Sequence, residues 1–242
     1  MPSVERIESS SFAAWSPDET TTISGWRVAS SGGFTRRLNS ATSVGEVDIS
    51  LETRDAISRW LAERGAGLTV RVTPLMEADV IAACLSDWGL SRRDATSVMV
   101  RRPASANDHD DVDVVAADNP EYTAELIDLN YSDPSVRAAW DRIVERAASA
   151  AVGLWIPGRA VGFTAVSKGI SSVFSVAVRE ADRRAGLATA IMSASSAWAI
   201  EQGAEWQFVQ VLGRNEAAIE LYEGLGFTER YRYSYLQPTG DR

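Results

Sequence analysis

Val178-Arg179-Glu180-Ala181-Asp182-Arg183-Arg184-Ala185-Gly186-Leu187-Ala188-Thr189 is the stretch that decides the fold. Val173 to Val178 before it reads as a strand. After it the apolar spacing of Leu187, Ile191, Ala194 and Trp198 reads as a helix, stopped by Gly203. A strand that feeds a small-residue turn and a helix N-terminus makes an anion site. The first N–H groups of the helix lack partners and carry the positive end of the macrodipole. Gly186 and Ala188 let a phosphate approach the backbone, and Arg183 and Arg184 add full charges. No Gly-Lys-Ser/Thr follows, so this is not a Walker loop. The first two glycines of the dinucleotide fingerprint are also missing.

About thirty residues on, across one helix and one strand, stands Asn215-x-x-Ala218-x-x-Leu221-Tyr222-x-x-Leu225-Gly226-Phe227. Local physics explains part of it. Asn215 can cap a helix, Glu216 suits its first turn, and Gly226 suits the left-handed residue after its end. Asn215 and Tyr222 lie two turns apart and share one face.

Together the two stretches resemble the GNAT (GCN5-related N-acetyltransferase) superfamily. Arg183-x-x-Gly186-x-Ala188 is similar to its coenzyme A signature, and the second stretch to its Asn/Tyr helix motif. Glu180 departs from a frequent proline and Arg184 from a frequent glycine. The resemblance covers about residues 120 to 236. It implies an α+β (mixed α/β) fold with a central, mostly antiparallel twisted sheet, splayed at two parallel strands. A smaller α+β half precedes it. It further implies that the backbone of Arg183, Arg184, Ala185, Gly186, Leu187, Ala188 and Thr189 binds the pyrophosphate of acetyl-CoA. Asn215 then contacts the pantetheine arm, and Tyr222 protonates the departing thiolate. Amides of Val176, Ala177 and Val178 bind the pantetheine and the thioester oxygen; such a donor can reach about 3 kcal/mol. A phenol of pKa roughly 10 holds its proton at neutral pH and can give it to a thiolate.

The implied activity is acetyl transfer from acetyl-CoA to a primary amine of a small molecule, peptide or protein. The amine attacks directly in a ternary complex, with no metal and no acyl intermediate on Cys84. A propionyl or succinyl donor is a variant. The alternatives are a CoA-binding regulatory module without turnover and an interaction scaffold. Glu125, Asp128 and Glu205 are available as general bases, although each reads first as a surface charge.

Working outward, Pro120–Leu129 and Val136–Ser149 read as helices. Ala151–Ile156 and Ala160–Val166 read as a hairpin around Pro157-Gly158. Trp206–Val211 reads as a buried strand, Asn215–Leu225 as a helix and Arg230–Leu236 as a last strand. Pro103–Pro120 is rich in aspartate and reads as an exposed linker. Its His109 is the only histidine, and no helical or hairpin spacing gives it partners for a metal. The expected division is therefore 1–102, a linker at 103–119, and a catalytic domain at 120–242.

In the first half, Ile23–Ala29 and Thr35–Val44 look extended around Ser30-Ser31-Gly32-Gly33. Thr53–Arg64 and Met76–Trp88 read as helices, Leu68–Thr73 and Thr96–Val100 as strands. Gly25-Trp26 and Gly33-Phe34-Thr35-Arg36-Arg37-x-Asn39-Ser40 resemble the N-terminal region of certain bacterial two-part GNAT proteins. The echo between Leu85–Leu90 and Leu225-Gly226-Phe227 suggests a degenerate GNAT-like half without a cradle. Arg36, Arg37 and Asn39 read as packing and turn residues, with an acceptor pocket as the alternative. No short-period repeat is visible.

The 242 residues are 45% hydrophobic, enough for one large domain or two small ones. A net charge of −9 repels phosphate backbones and disfavours nucleic acid as a partner. One cysteine allows no intrachain disulfide, which fits a cytoplasmic protein. No apolar run reaches membrane-spanning length and Met1–Phe12 lacks a signal-type apolar core, so no membrane role is expected. A monomer or homodimer is compatible with these features.

Overall fold

In chain order the computed structural model holds α1 (Val4–Ala14), β1 (Glu19–Ile23), β2 (Trp26–Ser30), β3 (Ser40–Ser43), α2 (Leu51–Ala62), β4 (Val70–Val72), α3 (Ala78–Ser86) and β5 (Leu90–Arg101). Next come β6 (Asp113–Ala116), α4 (Pro120–Asn130), α5 (Val136–Ala147), β7 (Ala151–Ile156), β8 (Ala160–Ser167) and β9 (Ile170–Val178). The last elements are α6 (Leu187–Glu201), β10 (Trp206–Leu212), α7 (Glu216–Gly224) and β11 (Thr228–Pro238). The structure describes residues 1–43, 45–104, 111–131, 133, 136–147 and 150–239. His109, with Asn107, Asp108 and Asp110 beside it, lies outside the described residues, as do Val44 and Ala148-Ser149 at the ends of two predicted segments.

The chain divides into two units. The larger takes Met1–Ser16, Val98–Val211 and Asn215–Arg230; the smaller takes Pro17–Ser97, Leu212–Arg214 and Tyr231–Arg242. The boundaries therefore do not follow chain order around 103–119. β5 and β11 each begin in one unit and end in the other. Residues 113–116, expected inside a linker, form the edge strand β6, which pairs antiparallel with β7. Four residues long, exposed at most positions and set among aspartates, Asp113-Val114-Val115-Ala116 is too short to read as a strand.

In the larger unit β6, β7, β8, β9, β10 and the Val98–Arg101 part of β5 are successive neighbours. β9 and β10 run parallel and pair from Ile170/Trp206 to Val173/Val209, where pairing stops. Both strands continue past that point, so the sheet forks. Just past the fork Ser175 takes φ 52°, and the register with β8 shifts between Val161 and Phe163. This is a β-bulge, which bends β9 away. Asn130 Nδ2 donates to the Ser175 carbonyl (3.2 Å) and holds the bend.

α1 is absent from the sequence reading because its buried side includes Glu8, Ser10 and Ser11, which hide the apolar period. Ser3 caps it by accepting from Arg6 N. Its last turn delivers Trp15 onto Trp140, Phe163 and Phe174, at ring distances of 5.4, 5.7 and 4.9 Å.

Two glycines let helices settle on this sheet. A Cβ on Gly153 would stand 2.6 Å from the Tyr122 ring, and the Tyr122 hydroxyl donates to Gly162 O at 2.6 Å. A Cβ on Gly162 would stand 2.6 Å from Ile191 Cγ2 of α6. Gly162→Ala is expected to cost about 1–3 kcal/mol by overpacking. Calorimetric melting checks this against Gly224→Ala, whose Cβ meets nothing and which stays neutral or gains up to ~1 kcal/mol.

The smaller unit has the neighbour order β1, β2, β3, β4, β11. Ile23–Ala29, expected as one extended segment, is instead broken by a turn at Ser24 and Gly25, both left-handed (φ 47° and 88°), between β1 and β2. A Cβ on Gly25 would lie 2.3 Å from Glu46 O. Trp26, Ile57, Leu61, Val70, Trp88 and Leu236 are in its core. β3 and β4 are parallel, paired at Ala41 and Val70. The order β3-α2-β4-α3-β5 thus repeats β9-α6-β10-α7-β11, a repeat of element order that short sequence periods do not reveal. No helix of the described residues is long and apolar enough to cross a membrane.

Candidate active site

The fork in the larger unit opens into a cavity of about 410 Å³. Val176 and Val178 of β9 form one wall, and Ala217, Ala218, Leu221 and Tyr222 of α7 another. Arg183, Arg184, Gly186, Leu187, Ala188 and Thr189 line the rest. Ala177, one step along the strand from each valine, turns to the other face, and Ala185 is also off the wall.

After β9 a short 3₁₀ turn, Glu180–Asp182, leads to Arg183. Arg184 (φ 63°) and Gly186 (φ 79°) are both left-handed and aim the chain into α6. Gly186 is the N-cap and offers no side chain to the helix. Among the described residues, nothing accepts from the N–H groups of Leu187, Ala188 and Thr189; the first closed helical bond is Ala190 N to Gly186 O, at 3.0 Å. A Cβ on Gly186 would meet no protein atom within 4 Å, so the space over the helix end is open. Neither Arg183 nor Arg184 has an acidic partner among the described residues. Asp182 nearby is bound to Arg159 at 2.9 Å.

Tyr222 is only 8% exposed, yet it belongs to the cavity wall. It packs with Met99, Val173, Met192, Val209, Val211 and Phe227. Burial pushes its pKa up to about 12. Its hydroxyl has no hydrogen-bond partner among the described residues. Phe227 N donates to Tyr222 O (2.9 Å) past the left-handed Gly226, which closes the helix end. Asn215 is not on the wall; its Oδ1 accepts from Ala218 N at 3.3 Å and caps α7. Ala217, Ala218 and Leu221 lie on the wall without having been singled out as site residues; α-helical spacing around Tyr222 is the signal that finds them.

The carboxylates raised as bases stand elsewhere. Glu125 Oε2 accepts from Trp155 Nε1 (2.7 Å) and Gly158 N (3.0 Å). Asp128 faces Arg179 at 3.4 Å, and Glu205 faces Arg6 at 3.5 Å. None lines the cavity. Asn39 spends its amide on its own loop, accepting from Ser31 N and Gly33 N and donating to Phe34 O and Thr35 O. Arg36 pairs with Asp94 at 2.7 Å. Among the described residues no group of three His, Cys, Asp or Glu side chains is placed to hold a metal.

A forked, mostly antiparallel sheet with an uncapped helix at the fork is the architecture of the GNAT acetyltransferases. Residues 3–236 match the model of the family described as "Probable histone acetyltransferase Rv0428c C-terminal", and the chain belongs to that family. It is therefore an acyltransferase of the GNAT type. It is 25% identical over 257 residues to the uncharacterized N-acetyltransferase YobR of Bacillus subtilis, covering 97% of this chain and 98% of that one. Its fold is similar to a GCN5-related N-acetyltransferase from Kribbella flavida (TM-score 0.72, 17% identity, 100% of this chain and 97% of that one). It is also similar to a GCN5-related N-acetyltransferase from Sphaerobacter thermophilus (TM-score 0.58, 15% identity, 79% and 69% of the two chains).

Proposed function

We propose that the chain transfers an acetyl group from acetyl-CoA to a primary amine within a ternary complex. The observation that carries this reading is the open N-terminus of α6 at the fork, with two arginines beside it and a buried phenol on the facing helix. The N–H groups of Gly186 to Thr189 receive the diphosphate, where unpaired donors and the helix dipole favour negative charge. Arg183 and Arg184 add charge and forked donors. Val176 and Val178 guide the pantetheine arm, and backbone amides of the 176–178 segment face the thioester oxygen. Asn215 holds the start of α7.

The neutral amine attacks the thioester carbon, the carbon–sulfur bond breaks, and the sulfur takes the Tyr222 proton. The proton lost by the amine passes to water or to a carboxylate outside this cavity. The larger unit, which takes in most of 120–242, carries the one coenzyme site, and the smaller, which takes in most of 1–102, is a degenerate GNAT-like half. Support for a single site comes from α2, the counterpart of α6. Ser50 accepts from Thr53 N there, and Asp48 accepts from Ser50 N (3.0 Å) and from the Ser50 and Thr53 hydroxyls. Those hydroxyl bonds hold the Asp48 pKa down, so the chain's own carboxylate sits at that helix start.

Thiol release from acetyl-CoA with a panel of amines tests the proposal, alongside calorimetry with CoA. The expected result is amine-dependent release. Heat on binding with no release from any amine replaces the transfer reading with a CoA-binding regulatory one.

A further inference from the structure

The proposed reaction leaves Arg101 without a role. Arg101, at the end of β5, lies partly buried in the larger unit, and burial pushes its pKa below the usual arginine value, although it stays charged. Its Nη1 donates to Leu225 O, the C-cap carbonyl of α7, at 2.7 Å. Nε and Nη2 donate to Gln207 Oε1 at 3.1 and 3.0 Å, and Nη2 also to Ser196 Oγ at 2.6 Å. The guanidinium carbon stands 4.5 Å from the centre of the Phe227 ring. Among the described residues no carboxylate pairs with it.

Such a group is a costly filler, since an apolar side chain of similar volume would stabilise the same space without desolvating a charge. What it does instead is grip a helix end. The last carbonyls of α7 carry partial negative charge, and Arg101 meets one of them directly. Its anchor is firm: Gln207 is fully buried, and Gln207 Nε2 donates to Ser195 Oγ (3.0 Å), which donates to Thr164 Oγ1 (3.1 Å). Phe227, the ring under the guanidinium, meets Tyr222 edge-on at 5.7 Å.

We propose that Arg101 is a positioning residue for the Tyr222 hydroxyl, acting through the Leu225 carbonyl and the Phe227 ring. This rests on the reading of Tyr222 as the proton donor. A residue from the first half of the chain thereby sets the rate without touching substrate. Lysine cannot replace it, because a point charge lacks the planar fork that makes four hydrogen bonds and stacks on a ring.

The test is a double-mutant cycle on the full chain. Arg101→Lys is expected to lower kcat for thiol release about tenfold or more, because small misplacements of a reacting group cost that much. KM for acetyl-CoA and Kd for CoA should stay within about twofold. In a Tyr222→Phe background the same change should have almost no further effect, as for residues acting as one unit. Should Arg101→Lys fold poorly in a thermal melt, Phe227→Leu is expected to show the same kcat loss and the same non-additivity. Effects that multiply across the cycle, or a loss confined to KM and Kd, overturn the positioning role while leaving Tyr222 as the acid. Wild-type turnover in Tyr222→Phe alone overturns both readings together.

Discussion

Tyr222→Phe is expected to lower kcat for thiol release by about 10²–10³-fold, within the range of general acid catalysis. KM for acetyl-CoA should hardly move, because the ring that packs among Met99, Met192 and Val209 is kept and only the hydroxyl is lost. The pH profile gives a second check. Burial places the Tyr222 pKa at about 12, so the donor form persists through any ordinary assay range. A lysine-like amine, by contrast, gains its reactive neutral form as pH rises toward about 10.4. The rate should therefore climb from pH 7 to pH 10, with no descending limb from Tyr222 below about pH 11. A fall centred near pH 10 that vanishes in Tyr222→Phe would show an exposed, ordinary phenol. Unchanged turnover in the variant would remove Tyr222 from the chemistry.

The second large effect is expected from Gly186→Asp. The backbone there is left-handed, so any side chain brings strain of roughly 1–2 kcal/mol, with aspartate at the lower end. The protein itself offers no clash. The new carboxylate occupies the N–H groups of the first turn and repels the diphosphate, and like-charge juxtaposition costs several kcal/mol. CoA affinity should fall about 100-fold or more, equivalent to ~2.7 kcal/mol, as measured by calorimetry. Gly186→Ala isolates the strain and should lose less than about tenfold. Wild-type affinity in Gly186→Asp would move the diphosphate away from α6.

Where side chains alternate or recur with a helical period, the elements were legible. β7 spans Ala151–Ile156 as read, and α6 and α7 lie within a residue or two of expectation. What failed had physical reasons. α1 buries serines and a glutamate, β6 is a four-residue edge strand held by its neighbour, and β5 starts at Leu90, six residues before Thr96, and runs through the polar Ser91-Arg92-Arg93-Asp94. The turn at Ser24-Gly25 is spelled by a Ser-Gly pair, but Ile23, Trp26 and Val28 around it also fit an extended segment. In the site, a single loop and a single helix supply most of the wall, so local motifs found them. Arg101 could not be found that way, since its partner carbonyl on Leu225 is 124 positions along the chain.

β5 and β11 each begin in one unit and end in the other, so neither unit is a continuous stretch of chain. Cutting the chain between residues 104 and 111 leaves the first fragment holding Val98–Arg101 and α1, which are built into the larger unit. It leaves the second fragment holding Tyr231–Pro238, which is built into the smaller one. Each fragment alone would bare unpaired peptide groups along a hydrophobic strand, the pattern that invites precipitation. Separate expression of the two fragments is therefore expected to give insoluble protein, whereas the uncut chain stays in solution.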